Sequence, residues 1–131
     1  MSNEHEDPQV SLAWVLRVAE KATARYGDAQ ADDYGVPVAA LARAYARALD
    51  TAVYGGVYMR AAALCHTLGR LRWLERGNFA VAIAVTSGFL DLHGVPSRPG
   101  KDDVRELHAH LQHSACTAES ISVLLRSWPP V

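Results

Sequence analysis

The chain has 131 residues, 50% of them hydrophobic and 21% charged, with a formal net charge of −1. That length and composition specify one globular domain around one core and exclude a disordered chain. The near-neutral balance excludes a basic field that would recruit nucleic acid, and arginine, histidine or glycine interrupts every apolar run before it reaches membrane-spanning length.

In chain order, residues 1–6 read as a flexible, polar tail, and the opening "MSNEHEDPQ" lacks the apolar core of a signal peptide. A single helical domain is expected over 7–131. Asp7-Pro8 offers a helix cap followed by proline in the first turn. The stretch "VSLAWVLRVAEKATARYG" has apolar residues at 12, 15, 16 and 19, the spacing of a helix face, with Gly27 as its stop. "DAQADDYG" is a loop. Pro37 opens a second helix through "VAALARAYARALDTAV", rich in strong helix formers, and Gly55-Gly56 breaks it. "VYMRAAALCHTLGRLRW" is a third helix, and "LERGN" is a loop. "FAVAIAVTSGFLDLH" follows, apolar on every face and stopped by Gly94, so it is expected at the centre of the molecule with Ala84 in the core. "VPSRPG" is a turn. "KDDVRELHAHLQHSA" is a fifth helix with acids in its first turn, and Thr117 caps a last helix, "AESISVLLRSW", that Pro129-Pro130 ends. The expected fold is all-α, about six helices around a buried central one, in a cytoplasmic protein.

Few residues offer chemistry. His108, His110 and His113 crowd one helix, but only His110 and His113 share a face, so a solvated surface is expected and no metal. Cys65 and Cys116 stand in apolar surroundings. Reduced, buried thiols are expected, with a disulfide between them the alternative. Cys65 and His66 are neighbours on a helix and point about 100° apart, so they cannot act on each other. His66 lies one and a half turns before the "LERGN" loop and is the candidate catalytic base.

The order of helices, together with "LCHTLGRLRWLERGN", "FLDLHGV" and "ARYG" at 24–27, resembles the Fic/Doc family, in particular its short death-on-curing branch. That family carries the signature His-x-Phe-x-Asp/Glu-Gly-Asn-Gly/Lys-Arg in a loop that enters a central helix. Aligned on Gly77-Asn78, Arg72 stands in place of the histidine base, Leu74 of the aromatic residue and Arg76 of the acidic metal ligand. Phe79 and Ala80 stand in place of the last two signature residues. Family enzymes move a phosphoryl or nucleotidyl group to a protein hydroxyl. An arginine does not give up its proton to act as base, a cationic side chain repels Mg²⁺, and a methyl group neutralises no phosphate charge.

The resemblance therefore implies a degenerate Fic/Doc-like protein that has lost transfer and acts as a binding or regulatory module, without a cofactor. A partner protein or peptide is expected in a groove like the one Doc antitoxins use, or else a small anion; neither nucleic acid nor membrane is expected. The anion would bind at Arg72, Arg76, Gly77 and Asn78, where a helix N-terminus offers N–H groups. Arg70, Trp73, Leu74, Glu75 and Phe79 would line the pocket. Two alternatives use the same pocket: a repurposed enzyme for a tailoring step on a peptide or metabolite, and a Doc-like toxin that transfers phosphate or AMP.

Overall fold

The structure, a computed structural model, describes residues 9–27 and 29–131, with Tyr26 described by its backbone alone. Among the described residues there are six α-helices: α1 (Leu12–Thr23), α2 (Gly35–Ala44), α3 (Val57–Arg70), α4 (Asn78–Leu92), α5 (Lys101–Leu111) and α6 (Ala118–Arg126). A single 3-10 turn, Ala24–Tyr26, extends α1, and a two-stranded hairpin, β1 (Arg47–Ala48) with β2 (Thr51–Ala52), follows α2. The protein is mostly helical, as the apolar spacing along the chain implies. No helix is long and apolar enough to cross a membrane among the described residues.

The Asp7-Pro8 cap falls outside the described residues. Helix α1 begins instead at Leu12, where the Ser11 side chain accepts a hydrogen bond from the Trp14 N–H at 3.1 Å. Gly27, at φ 79°, closes the 3-10 turn as its position suggests. The second helix is shorter than expected. It starts two residues before Pro37 and stops at Ala44, and "RALDTA" folds into the hairpin, with Arg47 opposite Ala52 and Ala48 opposite Thr51. Its two-residue turn holds Leu49 at φ 51° and Asp50 at φ 64°. Hairpins of this length need such left-handed pairs, and leucine seldom supplies one. The Arg47 guanidinium braces the turn by donating to the Asp50 carbonyl.

The centre of the fold is α3, not α4. Helix α3 packs against α2, α4, α5 and α6, and five consecutive residues, Ala61–Cys65, are wholly excluded from solvent. Short alanine side chains let its neighbours approach on all sides. Helix α4 packs on α3 and α1 and buries one face: Val81, Ala82, Val85, Thr86, Phe89 and Leu90. Ile83, Ala84, Ser87 and Gly88 are only partly covered, so Ala84 sits at the edge of the core. Gly88 is where α4 meets α1: a Cβ there would come within 3.0 Å of the Trp14 ring. The Thr86 hydroxyl, fully buried, donates to the Ala82 carbonyl at 2.7 Å and so carries no unmet polarity into the core.

Helix α6 begins as expected, with the Thr117 side chain accepting from the Ser120 N–H at 3.0 Å. Helix α5 ends four residues early, at Leu111. The C-terminal segment is tied back on the 95–100 turn, where the Arg98 N–H donates to the Pro129 carbonyl at 2.7 Å and Trp128 is buried.

Candidate functional site

The loop between α3 and α4 is built around two residues. Gly77, at φ 85°, takes the left-handed conformation that caps α4 and turns the chain into it. Asn78 holds the loop shut. Its side-chain oxygen accepts from the Trp73 N–H at 3.0 Å and the Leu74 N–H at 3.1 Å, and its amide donates to the Leu74 carbonyl at 2.9 Å. These bonds satisfy backbone groups that Trp73 and Leu74, both buried, carry out of water.

The loop is then clasped to the segment before α2. The Asp32 and Asp33 N–H groups donate to the Trp73 carbonyl at 2.7 and 3.3 Å, and the Glu75 N–H donates to the Gln30 carbonyl at 2.9 Å. The Gln30 N–H returns a bond to the Glu75 carboxylate at 3.1 Å, and Ala31 and Leu74 form an antiparallel bridge.

The arginines of the loop have separate destinations. Arg72 pairs with Asp32 at 2.9 Å and donates to the Leu74 carbonyl at 3.2 Å. Arg76 lies 3.4 Å from the Glu75 carboxylate. Both pairs are at least one-third exposed, and such pairs contribute about 0–1 kcal/mol each, so they orient side chains more than they stabilise the fold. Arg70 points the other way and donates to the Leu111 and His113 carbonyls at 2.7 and 2.9 Å, closing the C-terminus of α5. Phe79 also faces α5, edge-on to His108 with ring centres 4.7 Å apart. The residues expected around one pocket are thus divided: Trp73, Leu74, Arg72 and Glu75 lie on the clasp side, and Arg70 and Phe79 on the α5 side.

His66 belongs to a third place. Its Nδ1 meets the Arg43 guanidinium at 2.7 Å, and its Nε2 meets the Cys116 carbonyl at 3.2 Å. Arg43 also donates to the Tyr54 hydroxyl at 2.8 Å and the Thr67 hydroxyl at 3.1 Å. The only tautomer that fits carries its proton on Nε2, so Nδ1 is an acceptor already in use. Burial, then the Arg43 charge, pull the imidazole below its ordinary pKa; the bond to the Cys116 carbonyl opposes them, and Arg70 and His110 add a little to the lowering. The unfolded chain therefore binds this proton more readily than the folded one. Stability is full above the ordinary value of 6.5 and falls as pH drops below it. Urea unfolding at pH 7.5 and 5.5 should show this loss, and His66→Gln, which keeps a donor and an acceptor without a titrating ring, should reduce it. An unchanged pH slope in that variant would remove His66 as its source.

The remaining candidates are held singly. His110 bonds the Ser120 hydroxyl at 2.6 Å, and His113 accepts from the Ala115 N–H at 3.1 Å. Among the described residues no three His, Cys, Asp or Glu side chains converge as metal ligands. Cys65 and Cys116 are free thiols. Burial pushes Cys65 up to about 12, against a hydrogen bond with Thr86 and with a small further push from Cys116, so it stays a thiol at neutral pH. Burial also raises Cys116.

The clasp side opens into a cavity of about 480 Å³, within the range that holds small ligands. Leu16, Ala19, Glu20 and Thr23 of α1 form one wall; Ala24, Gly27 and Ala29 carry it round; Gln30, Ala31, Tyr34, Trp73 and Leu74 complete it. Trp73 is 1% exposed, and its indole Nε1, itself buried, has no hydrogen-bond partner among the described residues. A buried donor left unmade costs about 1–3 kcal/mol. No family model, curated protein or solved structure matches this chain. The α1 wall and the 27–34 segment had no local signature in the sequence. Trp73 was expected in the last turn of the third helix, but α3 stops at Arg70 and leaves it in the loop.

Proposed function

We propose that the chain is a binding or regulatory module rather than a phosphoryl or nucleotidyl transferase, built on a helical scaffold whose α3–α4 loop resembles that of the Fic/Doc family. The observation that carries this reading is the cavity against that loop, which Trp73 and Leu74 help to line. The loop residues support it. Arg72, in the position of the family's base, is engaged by Asp32 and the Leu74 carbonyl, and the Asn78 amide closes the loop on itself. The rival reading, a repurposed enzyme with His66 as base, would first have to break the bond from Arg43 to the nitrogen that must take the proton.

Incubation with radiolabelled Mg-ATP, alone and with elongation factor Tu, is expected to label neither protein. A fragment screen followed by amide NMR should gather its shifts on Ala19, Ala31 and Leu74. Stoichiometric phosphate or AMP on a protein hydroxyl, or fragments that bind only elsewhere, would overturn the proposal.

A further inference from the structure

We infer that His66 is a pH-sensitive latch on the hairpin between α2 and α3. When its ring takes a second proton, Arg43 lets go and the base of the hairpin comes free, while the helices stay in place. The hairpin depends on that base. Its strands are two residues each, and a hairpin so short is marginal in water unless something holds it. Its turn keeps Leu49 and Asp50 in left-handed backbone, and Arg47, Ala48 and Thr51 are exposed. What holds it is Arg43. This residue stands in the last turn of α2, just ahead of the hairpin, and Tyr54 stands two residues beyond β2. The Arg43 Nε donates to the Tyr54 hydroxyl at 2.8 Å, and the guanidinium lies 5.2 Å from the centre of the Tyr54 ring, so the two ends of the hairpin are joined. Through Nη1 the same guanidinium reaches α3, at His66 Nδ1 (2.7 Å) and at the Thr67 hydroxyl (3.1 Å). One side chain thus closes the hairpin and staples it to the central helix.

The switch follows from the tautomer. Nε2 carries a proton in both charge states of the ring and keeps its bond to the Cys116 carbonyl. The second proton must go to Nδ1, the nitrogen that Arg43 uses. An acceptor there becomes a donor, and two cations meet across a hydrogen-bond distance. The groups that face His66 are Arg43 from α2, Arg70 on its own helix, His110 from α5 and the Cys116 carbonyl ahead of α6. None of these is a carboxylate, so nothing among them offsets the new charge. Burial, then Arg43, keep the ring neutral while the latch is closed. Opening removes the second cause, so the open form binds the proton more readily and gains population as pH falls below the ordinary 6.5. The break is one-sided: the hairpin is released and the turn before α6 is not.

Amide exchange of the full chain at pH 7.5 and 5.5, expressed as protection factors to remove the intrinsic pH dependence, tests the inference. The Val53 N–H is the reporter, since it donates to the Ala46 carbonyl at 3.0 Å across the hairpin base. The Cys116 N–H, bonded to the His113 carbonyl at 3.1 Å, reports the other side of the ring, and the Val85 N–H, in the core, reports global stability. On acidification Val53 should lose at least about threefold more protection than Cys116 or Val85. His66→Gln, which keeps a donor and an acceptor without titrating, should abolish that difference. Arg43→Gln should leave Val53 poorly protected at both pH values, with the thermal midpoint recorded as a fold control. Should that variant not fold, wild type and His66→Gln decide the matter. Equal losses at the three amides, a Val53 amide already unprotected at pH 7.5, or an unchanged pH response in His66→Gln overturns the inference.

Discussion

Val85→Asp should leave the protein unfolded, or lower its thermal midpoint by more than about 10 °C. Val85 is wholly excluded from solvent on the face of α4 that packs into the core. An unpaired carboxylate there costs several kcal/mol, or forces protonation at a similar cost, and each kcal/mol moves the midpoint of a domain this size by about 4 °C. Ala84→Asp, one residue earlier, is the control. Ala84 is partly exposed, so its carboxylate can turn toward water, and the loss should be less than half as large. Circular-dichroism melts of the two variants decide the matter. Equal losses would mean that α4 presents a different face to α3.

Asn78→Ala should cost about 2–4 kcal/mol, because it strands two N–H groups of a buried loop and leaves the Leu74 carbonyl to Arg72 alone. Asn78→Asp should fall between wild type and alanine, since a carboxylate still accepts from Trp73 and Leu74 but turns an oxygen toward the Leu74 carbonyl. Chemical denaturation gives the energies, and the Trp73 indole signal reports whether the loop has opened. A loss under about 1 kcal/mol for the alanine variant would show that the clasp to Gln30, Asp32 and Asp33 holds the loop without Asn78.

The helical class and most helix starts were legible in the sequence because they rest on local chemistry. Thr117 caps α6 through a bond to a residue three positions away, and Gly77 turns the chain by its own backbone freedom. What was not legible depends on partners far along the chain. Helix α4 reads as the most apolar, yet α3 takes the centre. Its polar residues are absorbed by other elements: His66 and Thr67 by Arg43 from α2, and Arg60 over the Tyr45 ring at 5.8 Å. The overlong second helix has a similar origin. "ARALDTA" opens with four good helix formers, and nothing in those identities announces that Leu49 and Asp50 adopt left-handed backbone. In the site, the sequence marked Trp73 and Leu74 as lining and missed the opposite wall. Ala31 and Gln30 reach the loop across more than 40 positions, and the period of their own segment says nothing of that pairing.

That long-range pairing separates two motions that are usually lumped together. The clasp between 30–33 and 73–75 rests on a handful of backbone bonds at a half-exposed seam, whereas α3 is locked by neighbours on every side. Seams of this kind open locally at a free-energy cost well below that of global unfolding, on the microsecond-to-millisecond scale of loop motion. Such an opening leaves the helices assembled. A guest that touches both halves of the seam slows its reopening and raises its stability by RT ln(1 + [L]/Kd). Occupancy would thus be written into the exchange rates of a few amides on one edge of the molecule, with the core silent throughout.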